Sequence, residues 1–168
     1  MNGLFLSPTE KRRSKGRPYR IAIVLALVLF LVVAPEVQEG NSMSPTIKDG
    51  QVLVVSKMAH YSSNRKPPEK GKLVILEKQY SLDSGANDNI ISRVAAVPGD
   101  TVKTKAGKVK LKGNQIYLLG DNNDKDSVKY DSRNPRLGKN GIVDMREIKG
   151  NVLLRVWPLK DFAIMTNK

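Results

Sequence analysis

The sequence predicts a mainly β protein, with one antiparallel-sheet domain behind a single N-terminal transmembrane helix. Three observations predict it. A fourteen-residue apolar run, Ile21–Ala34, follows a dense basic block. Beyond it, short Val-, Ile- and Leu-rich runs alternate with turn residues, and the helical period is weak. The length of 168 residues suits one ordinary domain plus an appendage.

The first element is the apolar run. A buried core helix does not fit it, because the run is apolar all round. A cleaved leader would be cut after Ala34 and would leave Pro35 first in the mature chain, a position that tolerates Pro poorly. An uncleaved anchor over residues 21–36 fits better. Arg20 can snorkel, Tyr19 can sit at the interface, and Pro35 is a natural helix stop. Residues 1–20 hold six cations against the single acid Glu10. The positive-inside rule then makes 1–20 a cytoplasmic tail and 37–168 an extracytoplasmic domain of a single-pass membrane protein.

The strands follow in order: Gln51–Ser56, Lys72–Glu77, Ile90–Val97, Lys108–Leu111, Gln115–Leu119, Gly141–Val143 and Asn151–Trp157. Ser62–Gly71 contains Pro67-Pro68 and reads as a loop, and Ser81–Asn89 as a polar connection. Asn122–Gly138 is a long polar segment, and loops of that length in a small domain are commonly functional. No internal repeat, Walker loop, dinucleotide fingerprint or EF-hand pattern is present.

Composition narrows the chemistry. With no Cys, thiol catalysis, disulfides and Cys-ligated metals are excluded. One histidine, His60, lies in a polar stretch and carries no assigned role. A hydrolase built from this chain would take Lys or a carboxylate as its base. The net charge of +13 suggests an anionic partner; the N-terminal tail explains part of it, and the remainder of the chain keeps +8.

Three segments carry the candidate chemistry. Gly40-Asn41-Ser42-Met43-Ser44-Pro45-Thr46-Ile47 lies just beyond the anchor. Arg93-Val94-Ala95-Ala96-Val97-Pro98-Gly99-Asp100 ends a candidate strand. Gly120-Asp121-Asn122 is followed after eight residues by Asp131-Ser132-Arg133. Each alone reads as an ordinary turn or strand end. Together, in this order and behind an anchor, they resemble the boxes of the type I signal peptidases, the membrane-anchored serine endopeptidases that remove signal peptides. The short spacing and single anchor resemble the Gram-positive branch.

The resemblance implies that Ser42 is the nucleophile and that its backbone N–H is one oxyanion donor. It implies a Lys base just before the Arg-Val pair, lowered in pKa by burial, and no metal or cofactor. Here that position holds Ser92. The family's third box reads Gly-Asp-Asn-x-x-x-Ser-x-Asp-Ser-Arg, and its first Ser contacts the Lys amine. In this chain the position two before Asp131 holds Lys129, with Ser127 as the alternative, shifted box Ser. Two readings stay open: the pair is swapped, with Lys129 the relocated base and Ser92 its hydrogen-bond partner, or Lys129 is a solvated loop cation, Ser127 is the box Ser and the base is missing. Asp131 and Arg133 are expected to form an ion pair bracing the loop around Ser132, and Asp121 and Asn122 to fix its turn. Met43, Ala95 and Ala96 are expected either at the substrate wall or in core packing.

The partners implied are signal peptides of exported preproteins, bound by strand addition, and membrane lipid. The altered base position raises an alternative: a catalytically impaired homologue that binds exported precursors, such as pilin precursors, as an assembly chaperone. Nucleic acid is not expected, because the anchor places the basic domain outside the cell.

Overall fold

The computed structural model describes residues 17–57, 66–76, 89–125, 131–134 and 137–165. It opens with helix α1, Arg17–Val32. The side chains of Ile21, Ile23, Val24, Leu25, Leu27 and Leu31 are exposed. Sixteen residues span ~24 Å, short of the ~30 Å hydrocarbon core of a bilayer. Among the described residues no helix is long and apolar enough to cross a membrane.

The expected anchor boundary at 36 is corrected. The helix stops at Val32, and Val33–Val37 form strand β1. Pro35 cannot continue a helix, and the sequence beyond it finds a pairing partner. That partner is β2, Val52–Ser56, antiparallel to β1 with Val33 opposite Ser56 and Val37 opposite Val52. Pro35 is tolerated because β1 is an edge strand.

The remaining strands are β3 Leu73–Leu76, β4 Ile90–Ala96, β5 Thr101–Thr104, β6 Gly107–Lys110, β7 Gln115–Leu119, β8 Val143–Asp144, β9 Ile148–Trp157 and β10 Ala163–Ile164. The main sheet has the order β1-β2-β9-β3-β4-β7-β8, with β10 added to β9, and the named pairings are antiparallel. β5 and β6 form a separate two-stranded ribbon. The mainly β, antiparallel expectation therefore holds. β5 was not expected, because Val102 is its only large apolar residue. β10 was missed because a two-residue strand carries almost no pattern.

The core lies on both faces of the sheet. All four residues of β3 are buried, so its side chains point alternately into two clusters. Val74 and Leu76 pack with Val94, Ile116, Leu118 and Val143. Leu73 and Ile75 pack with Met43, Ile47, Leu53, Ile91 and Val152. A third cluster of Ala96, Val102, Leu111 and Tyr117 seats the ribbon against the ends of β4 and β7. The second cluster takes residues from the turn after β1, which fixes the segment carrying Ser42 onto the sheet. Ile75→Ala is expected to lower unfolding free energy by about 2–5 kcal/mol, read from chemical denaturation.

Candidate active site

Ser42 lies in the turn between β1 and β2. Gly40, at φ +73°, starts the turn and donates its N–H to Asp49 Oδ1 at 2.7 Å. Ser44 N–H donates to the Asn41 carbonyl at 3.1 Å, and Ile47 N–H to the Met43 carbonyl at 2.9 Å. These bonds wind the chain tightly while Met43 and Ile47 enter the core. Ser42 itself is 8 % exposed. Among the described residues, neither its hydroxyl nor its N–H is engaged in a hydrogen bond.

The loop after β7 closes on this turn. Asn122 N–H donates to the Ser42 carbonyl at 3.0 Å, and Asn122 Nδ2 donates to the Asn41 carbonyl at 3.0 Å. Gly120 lies against the same carbonyl: a Cβ placed there would be 2.6 Å from the Ser42 oxygen. Only glycine allows that approach. The expected turn-fixing role of Asn122 is met by direct bonds to the Ser42 segment.

Asp131 is 1 % exposed and organises the loop from below. Its Oδ2 accepts from Gly120 N–H at 2.9 Å, and its Oδ1 from Arg133 N–H at 2.8 Å. The Arg133 guanidinium forms an ion pair with the same carboxylate. Arg133 also reaches the Asn122 carbonyl at 2.8 Å and Asn123 Oδ1 at 2.6 Å. The hydrogen bond to Asp131 holds its guanidinium protonated even more firmly than usual. Ser132 bonds to β7 through both its backbone and its hydroxyl, which accepts from Leu118 N–H at 2.9 Å. The bracing pair read from Asp131-Ser132-Arg133 is thus present.

A second fork joins β4 to the loop. Arg93 Nε donates to Asp121 Oδ1 at 2.7 Å and Nη2 to Oδ2 at 2.6 Å, while Nη1 reaches the Gly71 carbonyl at 2.7 Å. The bond to Asp121 raises the Arg93 pKa against its desolvation. Such bidentate pairs fix geometry as well as charge. Ser92 directly precedes this arginine, opposite Val74 of β3, and is fully buried. Its neighbours in the fold therefore connect to Ser42 through Arg93, Asp121 and Asn122. Lys129, Ser127 and His60 lie outside the described residues.

Met43 is fully buried beneath the turn, Ala96 is buried beside Tyr117, and Ala95 is exposed on β4. A groove of about 380 Å³ opens next to the Ser42 turn, lined by Pro45, Thr46, Leu73, Arg93, Arg155 and Ile164 among others. Arg155 was not anticipated. Its Nη1 donates to the Thr46 carbonyl at 2.6 Å and its Nε to the Asp161 carbonyl at 2.6 Å. No local pattern announces it, because both acceptors are main-chain atoms, one six residues on and the other far away in sequence. Among the described residues no group of three or more His, Cys, Asp or Glu could hold a metal ion.

The sequence profile of the family described as "Signal peptidase, peptidase S26" matches residues 16–116. The chain belongs to this family. The match covers the Ser42 and Arg93 boxes, and the geometry above adds the Gly120 and Asp131 segments beyond its end. Among similar proteins is "Signal peptidase IB" of Staphylococcus aureus (strain MRSA252), 26% identical over 185 aligned residues, 86% of this chain and 88% of the relative. The same-named protein of strain Mu50 is 26% identical over 180 residues, 83% of this chain and 86% of the relative. "Signal peptidase I P" of Bacillus subtilis subsp. natto is 32% identical over 111 residues, 63% of this chain and 55% of the relative. The protein is thus similar to type I signal peptidases.

Two outcomes follow from the signal peptidase site as built. Gly120→Ala is expected to push the Ser42 carbonyl away and break its bond to Asn122. Its signature is faster hydrogen exchange at the Asn122 amide, in protein that still unfolds cooperatively. Asp131→Asn leaves Arg133 without its carboxylate. It is expected to cost about 3 kcal/mol in denaturant unfolding.

Proposed function

We propose that this protein is a serine endopeptidase that removes signal peptides from exported preproteins, with Ser42 as nucleophile. The observation that carries this reading is the bond from Asn122 N–H to the Ser42 carbonyl. It ties the nucleophile box to a loop that is itself locked by Asp131–Arg133 and Arg93–Asp121. Three segments that are separate in sequence converge on Ser42, which lies within the stretch matched to the signal peptidase family.

In the proposed reaction, an amine takes the Ser42 hydroxyl proton as the oxygen attacks the scissile carbonyl. The Ser42 N–H donates to the developing oxyanion. Gly40 offers no side-chain hydroxyl to help it. The amine is assigned to Lys129, two residues before the anchored Asp131, with buried Ser92 as its hydrogen-bond partner. An apolar environment would favour the neutral amine, because desolvation lowers a lysine's pKa. Ala95, exposed on β4, is assigned to the substrate wall, with Met43 and Ala96 shaping it from beneath. The chemistry calls on no cofactor.

The same reading holds the chain at the cell membrane, with residues 1–20 cytoplasmic. Its support is the exposed apolar surface of α1 and the basic block before it. Trp157, Leu159, Phe162 and Ile164 are also exposed, and such residues suit an interface with lipid.

Ser92 at the usual base position favours a second reading, a homologue that binds exported precursors, pilins included, without cutting them. One assay separates the two. The full chain, Ser42→Ala, Lys129→Ala and Ser92→Lys are compared on a preprotein with an Ala-x-Ala cleavage site. The proposal expects cleavage by the parent and a loss of about a thousandfold or more in both alanine variants. Undiminished cleavage by Lys129→Ala removes the relocated base. An inactive parent that Ser92→Lys restores establishes the second reading.

A further inference from the structure

The β5–β6 ribbon carries a charge that the site at Ser42 does not use. Between Asp100 and Asp121 the sequence has five lysines, 103, 105, 108, 110 and 112, and no acidic residue. The two flanking acids are already engaged. Asp100 accepts from Lys70 Nζ at 2.8 Å, and Asp121 is held in the Arg93 fork. The ribbon alternates cleanly. Val102 and Thr104 turn inward, Val102 into the cluster with Leu111 and Tyr117, while Thr101, Lys103, Lys108 and Lys110 are exposed. All five lysines are exposed. None of them makes an ion pair or side-chain hydrogen bond among the described residues.

The register sharpens this. Lys103 lies directly opposite Lys108, and Lys110 opposite Thr101. Like charges directly opposite across an antiparallel pair are destabilising, so the fold gains nothing from this arrangement. Lys108 and Lys110 project from one face about 6.8 Å apart along the strand. The result is a continuous cationic strip with no counter-charge of its own.

What the strip lacks identifies its partner. Cationic segments that seat on bilayers pair their lysines with exposed Trp, Phe or Leu. Among the described residues the exposed large apolar side chains lie at or before Val37 and at or after Leu153, none on the ribbon. Surfaces that bind single-stranded nucleic acid place aromatic side chains between the cations to stack bases. No aromatic residue occurs from 101 to 116, and Tyr117 is buried. We propose that the outer face of the β5–β6 ribbon binds a linear, flexible polyanion of repeating phosphodiesters that carries no aromatic bases. The lysines act as point charges that displace the polymer's counterions, and flexible stems absorb the mismatch between its spacing and theirs.

The test uses the full chain in zwitterionic detergent micelles and fluorescently labelled poly(glycerol phosphate), with binding followed by anisotropy across a salt series. It reads binding alone, so it stands or falls independently of cleavage at Ser42. Five phosphate contacts give a slope of log K against log salt of about −3.5, on the single-strand coefficient of about −0.7 per contact. Lys103→Gln/Lys108→Gln/Lys110→Gln is expected to flatten that slope to about −1.4. It is also expected to weaken binding at least tenfold at low salt, with the thermal unfolding midpoint unchanged or raised by relief of the Lys103–Lys108 repulsion. Lys11→Gln/Arg12→Gln/Arg13→Gln, which removes the same charge from the N-terminal tail, is expected to leave most of the affinity. Parent-like binding by the ribbon variant overturns the proposal, as does a loss carried by the tail variant instead. Tighter binding of a single-stranded oligonucleotide with the same number of phosphates overturns the choice of partner.

Discussion

Asp131 is a buried carboxylate that meets three donors at once: the Gly120 N–H, the Arg133 N–H and the Arg133 guanidinium. An uncompensated charge at that depth would cost several kcal/mol, so the loop is arranged to satisfy it. Gly120 is drawn down onto the carboxylate, which brings its Cα under the Ser42 carbonyl. Arg133, once paired, spans outward to Asn122 and Asn123 and sets the path of the loop over the Ser42 turn. The Arg93–Asp121 fork then ties the same loop to β4. The shape of the candidate site is therefore a consequence of where one carboxylate is buried. The hydrophobic clusters supply the platform, and Asp131 decides what is held above it.

This dependence explains which parts of the structure were legible in advance. The main strands were readable because Leu73–Leu76, Ile90–Val94 and Gln115–Leu119 are short apolar runs between turn residues. Their burial on one or both sheet faces follows from composition. The end of the helix was not. Val33 and Val37 extend an apolar run equally well as helix or strand, and only the presence of Val52–Ser56 as a partner settles them as strand. β5 and β10 escaped for a related reason. β5 has too little apolar content and β10 is too short to show a pattern, and both exist because β6 and β9 offer them backbone partners.

The site was legible where function needs a fixed residue type at a fixed spacing. Ser42, Asp121, Asn122, Asp131 and Arg133 fall together as their boxes imply. Met43 reads differently in three dimensions. Its place beside the serine left substrate contact and core packing both open, and its side chain fills the space under the turn. Arg155 was invisible because it recognises two carbonyls, and a carbonyl has no residue identity to read.

That last point extends to the whole cradle. The groups that position Ser42 grip its carbonyl, the Asn41 carbonyl and the Thr46 carbonyl, and the Asp131 carboxylate grips the Gly120 N–H. All of these are main-chain atoms, present whatever side chain stands at the position. Scaffold and reactive groups are therefore separable under mutation. A lineage can exchange the side chain at 42, or trade lysine for serine at 92, and keep the cavity's outline intact. Such a design tolerates exchange of the side chains that it presents, because the vessel does not depend on its contents.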